Sequence, residues 1–101
     1  MLTKAKAEKV LAAVKRACAP WVEEGREPVL VMDWEPYWGG EPRPTILWEE
    51  GPYEWTYALA GIINNGESSR EEEFGFTLAG QPVPGVFAEP GTGWALCLYE
   101  G

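Results

Sequence analysis

The side chains best suited to chemistry crowd into one stretch, residues 33 to 57. Asp33, Glu35, Glu49, Glu50 and Glu54 lie there among Trp34, Tyr37, Trp38, Trp48, Tyr53, Trp55 and Tyr57. Carboxylate pairs beside aromatic faces are the apparatus of glycoside hydrolysis, where one acid protonates the leaving oxygen and the other attacks or activates water. The same carboxylates are accounted for as strand-end and helix-start charges, and Glu54 in a first helical turn would complement the helix dipole. Elsewhere the inventory is thin. There is no histidine, which removes the commonest general base and metal ligand. Cys18 and Cys97 form no Cys-x-x-Cys pattern, so a zinc site is not indicated, and two buried free thiols are expected. Ser68 and Ser69, the only serines, have no base beside them. No glycine-rich phosphate loop follows a strand. The expectation is a protein that is not an enzyme, uses no cofactor or metal, and works by binding.

The elements that must carry this stretch follow from period and punctuation. Residues 3 to 18 read as an amphipathic helix. Ala7, Val10, Leu11, Val14, Ala17, Cys18 and Trp21 share one arc, Lys4, Lys9, Lys15 and Arg16 the other, with Thr3 as N-cap. Pro20 ends or kinks it, with one further turn before a cap at Gly25. Residues 29 to 34 form an apolar strand expected near the middle of a sheet, and residues 45 to 49 a second strand. Three prolines and two adjacent glycines make residues 35 to 44 an irregular loop, so the two strands form an antiparallel hairpin. A helix then opens at Pro52, runs through Trp55, Leu59, Ile62 and Ile63, and closes at Asn64-Asn65-Gly66; a strand over residues 53 to 59 is the competing reading. Residues 66 to 73 are a polar linker, with Ser68 and Glu71 spaced as a capping box. Alternation of Phe74, Phe76 and Leu78 predicts a short strand. Residues 86 to 89 and 94 to 100 flank Pro90-Gly91-Thr92-Gly93 as a last hairpin. Both faces of residues 94 to 100 are apolar, which places that strand inside the sheet. The whole is one α+β domain over residues 1 to 101, in the order α-β-β-α-β-β-β. Its antiparallel sheet has four to five strands, with two helices on one face.

Charge narrows the partners. The net charge is −8. Residues 1 to 22 carry five basic side chains against Glu8, a balance of +4, and the remainder fifteen acids against three arginines, a balance of −12. An acidic body selects basic partners and repels DNA and anionic membrane, so direct nucleic-acid binding is not expected. No segment reaches the roughly 20 apolar residues of a membrane span, and the charged N-terminus is not a secretory signal, so the expected location is the cytoplasm. The chain is expected to be a monomer or a weak homodimer paired through the edge of residues 74 to 78.

Three functions of different class fit. The first is a protein-binding module anchored by Tyr37 and Trp38 on the loop tip, with Arg43 at the rim, since aromatic side chains on irregular loops make rigid interface anchors. The second is an acidic mimic of nucleic acid, an immunity-type inhibitor of a DNA-binding protein or nuclease. The third is a carbohydrate binder stacking sugars on Tyr37 and Trp38. Richness in Ala, Gly, Pro, Trp and Glu, with the phrases Gly51-Pro52-Tyr53-Glu54-Trp55 and Gly93-Trp94-Ala95-Leu96, resembles the small accessory proteins of actinobacteria and their phages. That resemblance implies a cytoplasmic protein that binds and modulates a host or cellular factor, and it carries over no functional residue.

Overall fold

The computed structural model describes residues 2–36, 38–66, 74–78 and 80–101. Its elements are α1 (Lys4–Ala17), β1 (Val29–Trp34), β2 (Arg43–Leu47), α2 (Trp55–Asn65), β3 (Val86–Thr92) and β4 (Ala95–Glu100). The strands form one antiparallel sheet in the order β1-β2-β4-β3. Ile46, Leu96, Leu98, Val86 and Ala88 on one sheet face pack in a single core with Val10, Val14 and Ala17 of α1 and Leu59, Ile62 and Ile63 of α2. Both helices therefore lie on the same face of the sheet, a two-layer α+β sandwich.

The α1 helix starts as its residues dictate. Thr3 adopts extended backbone, and its hydroxyl accepts a hydrogen bond from the Lys6 N–H at 3.3 Å. The helix ends ahead of Pro20, in a 3-10 turn over Ala19–Trp21. That turn swings Trp21 off the buried arc. Its indole is half exposed and donates Nε1–H to the Phe74 carbonyl at 2.6 Å. Gly25, at φ +80, shapes a later turn, closed by Arg26 N–H donating to the Glu23 carbonyl, and is not the helix cap.

The helical reading of residues 55 onward is correct, but the helix opens at Trp55 and not at Pro52. Glu54 stands in the left-handed region at φ 66, so the chain enters α2 from a tight turn. The close approach of Gly51 to two indoles sets that turn. A Cβ on Gly51 would meet Trp48 Cε3 at 2.7 Å and Trp55 Cδ1 at 3.0 Å. Trp48 and Trp55 meet edge-to-face at 5.3 Å, both buried in the core.

Four further expectations are corrected. β1 is an edge strand, not a central one, because β2 and β4 pair directly through Thr45, Ile46 and Leu47. β2 begins at Arg43, two residues before the expected start, and includes Pro44, which lies just beyond Thr45, the last residue paired to β4. The strand expected over residues 74 to 78 does not form. Gly75, at φ 70, turns the chain, so Phe74 and Phe76 stack on each other at 5.1 Å, and Phe76 and Leu78 enter the core outside the ladder. The dimer expected through that segment thereby loses its strand edge. The last hairpin turns later than expected: β3 runs on through an irregularity at Pro90 to Thr92, and Gly93 and Trp94 make the turn. The interior placement of β4, between β2 and β3, is as its two apolar faces required. The capping-box pair Ser68 and Glu71, with most of the polar linker, lies outside the described residues.

Candidate functional site

The hairpin of β1 and β2 delivers residues 35 to 42 to one end of the sheet. Pro36 is buried and its carbonyl accepts from the Gly39 N–H at 3.1 Å, which pins the near side of the loop. Gly39 and Gly40 follow at φ +80 and +141, conformations that glycine alone adopts without strain. Trp38 precedes them and is 61% exposed, so its indole is displayed and not folded back onto the core. Tyr37, the other expected anchor, lies outside the described residues.

Arg43 opens β2 beneath this loop, opposite Trp34 in the ladder. Its guanidinium is ion-paired with Glu89 of β3, reaching across β4. The site thus brings Trp38 and Arg43 to the same end of the hairpin, with Arg43 already holding a carboxylate.

Residue types alone do not show that Trp34, the last residue of β1, lies on the sheet face that carries no helix. There Trp34 meets Trp94 edge-on at 6.0 Å. A Cβ on Gly91 would meet Cys97 Sγ at 2.8 Å and Trp34 Cζ3 at 3.0 Å, so only glycine lets this indole lie on the sheet beside Cys97. Trp34 is consequently half-buried on the open face, and the core holds Trp48 and Trp55 without it. At the other end of this face Phe87 stacks on Tyr99 at 5.8 Å. The available signal was the apolar character of both faces of β4, which demanded a cover on its second side.

Under this cover Cys97 has no exposed surface, and its thiol pKa is raised, first by burial. The Thr45 hydroxyl 3.7 Å away and the Arg43 charge oppose that rise, and the Glu89 charge adds to it. Cys18, buried on the helix side, is pushed up to about 12 by burial alone. Both thiols are free. Since thiolate is the reactive form, both are expected to resist an aromatic disulfide reagent at pH 8 in the native protein and to titrate fully in denaturant. Rapid labelling of native Cys97 would show that the Trp34 cover opens.

The carboxylates do not converge. Asp33 and Glu35 sit at the loop end of the hairpin, whereas Glu49 and Glu50 follow β2 at the opposite end, where Glu50 pairs with Arg26 at 3.4 Å. Among the described residues no group of three His, Cys, Asp or Glu side chains is placed to hold a metal ion. Among them, too, no helix is long and apolar enough to cross a membrane. Comparison of the chain with models of known families, with curated proteins and with solved structures finds no match.

Proposed function

We propose that this chain is a non-enzymatic binding module that docks on another protein through the loop carrying Trp38. The observation that carries the reading is an indole 61% exposed on a loop pinned by a buried proline and a hydrogen-bonded turn. A tryptophan has only two side-chain torsions to fix, so on a pinned backbone it loses little entropy when it inserts into a partner's pocket, which is why such residues dominate interface energies. The acidic charge of the body favours a basic partner. Tyr37 is proposed as a second anchor, and Arg43, held by Glu89, as a support at the rim. A cytoplasmic setting, in which this protein modulates a cellular factor, completes the proposal.

The test is affinity capture with quantitative mass spectrometry, wild type against Trp38→Ala, alongside thermal unfolding of both. Retention of the specific partner is expected to fall at least tenfold while the melting temperature moves by less than about 3 °C, under 1 kcal/mol for a domain of this size. A fall of about 8 °C or more would mean that the indole packs on its own protein, and the reading would be lost.

A further inference from the structure

The two edges of the sheet are treated differently. Trp48 N–H donates to the Trp94 carbonyl. Ladder alternation from that bond turns Thr45 and Leu47 toward β1 and Val29 and Val31 toward β2, leaving the N–H and C=O of Leu30 pointing outward. The same alternation turns Ala88 and Pro90 outward on β3. There the edge is closed. Asn64 Nδ2 donates to the Ala88 carbonyl at 2.7 Å, and the Ala88 N–H donates to Asn64 Oδ1 at 3.0 Å. Pro90 has no N–H, and the Thr92 carbonyl accepts from the Thr56 hydroxyl at 3.1 Å. The side-chain amide of Asn64 replaces the peptide group of a fifth strand.

Over residues 29 to 33, β1 has no such guard among the described residues. Among the described residues nothing outside the β1–β2 ladder hydrogen-bonds to the backbone of residues 29 to 33. The strand holds no proline or lysine, and Val29 is 51% exposed. Leu30 and Met32 are only partly buried on the helix side. An edge unguarded over residues 29 to 33 and apolar from Val29 to Met32 is a template for another strand.

Charge selects the occupant. Glu27, Asp33 and Glu35 flank the edge and make no ion pair among the described residues, while the nearby Arg26 is spent on Glu23 and Glu50 and Arg43 on Glu89. A second copy pairing antiparallel about Leu30 would set Glu27 opposite Asp33. Pairing about Val31 would set Glu27 opposite Glu35. Both copies would also carry a net charge of −8. Like charges opposite one another destabilise strand pairing. We infer that β1 recognises its partner by strand addition, taking an extended segment of another protein with alternating apolar residues and Lys or Arg at both ends. The inference rests on the protein-binding reading above but not on Trp38.

The probe is a synthetic peptide, Arg-Lys-Val-Thr-Val-Thr-Val-Lys-Arg, followed by amide exchange in NMR. Saturating peptide is expected to slow exchange of the Leu30 N–H at least tenfold. Glutamates in place of the basic ends, or N-methylation of alternate peptide nitrogens, should each abolish that protection. The triple variant Glu27→Lys, Asp33→Lys, Glu35→Lys should bind the Glu-ended peptide instead. Protection that survives Trp38→Ala keeps the edge assignment even where the loop reading fails. Unchanged Leu30 exchange, or perturbation confined to residues around Trp38, overturns strand addition and leaves the loop reading standing. Concentration-dependent dimers that protect Leu30 without peptide overturn the choice of a basic partner segment.

Discussion

Trp55→Ala is expected to remove most of the stability of this domain. The indole is 1% exposed, heads α2, and meets Trp48 edge-to-face against Gly51. Deleting a buried tryptophan to alanine costs about 3–5 kcal/mol, against a total of about 5–15 kcal/mol for a typical domain. Urea unfolding should show the loss, and the melting temperature should fall by about 15 °C or more. The informative comparison is Trp55→Phe. Nε1 of Trp55 is buried and has no acceptor among the described residues. A buried donor without a partner costs about 1–3 kcal/mol, so phenylalanine removes a penalty while it opens a small cavity. The two effects offset, and the net cost should stay below about 1.5 kcal/mol. A phenylalanine variant as unstable as the alanine one would mean that the indole nitrogen does have an acceptor.

Residues whose role is set by local chemistry were legible in the sequence. Thr3 caps α1, the apolar arc of Val10 and Val14 is buried, and the double apolar face of β4 marks an interior strand. What depended on neighbours was not legible. The run from Val29 to Met32 looks central because it is apolar, yet strand order is fixed by the pairing of β2 with β4. Phe74 and Phe76 alternate like a strand, but Gly75 in the left-handed region puts them on one side by turning the chain. At the candidate site, glycines, prolines and an aromatic tip identified the loop. Trp34 can lie on the sheet only because Gly91, more than fifty residues away in the chain, leaves room for its ring. Asn64 read only as a helix stop, because nothing in its local sequence announces that it faces Ala88.

That pairing makes Asn64→Leu the sharpest test of how the sheet is closed. Leucine keeps the branched shape of the side chain and is the better helix former, but it removes both hydrogen bonds to Ala88. The amide N–H and the carbonyl of Ala88, a residue with no exposed surface, would then lose their partners beside the half-buried position 64, each at about 1–3 kcal/mol. Discounted for partial access of water, the expected loss is about 2–3 kcal/mol, seen as a melting temperature lower by about 10 °C. Amide exchange should localise the effect. Ala88 is expected to lose at least tenfold of its protection, whereas Phe87 and Glu89, whose amides face β4, should slow or speed only with global stability. Ala88 is also freed to pair with another strand, while Pro90 and the Thr56 bond still guard the rest of the edge. Sedimentation of Asn64→Leu at high concentration should show self-association through β3 that the wild type lacks, because β3, unlike β1, has no acids at its two ends to keep copies apart. A variant equally unstable but monomeric at high concentration would assign Asn64 to packing alone, and the contrast between a closed β3 and an open β1 would lose its force.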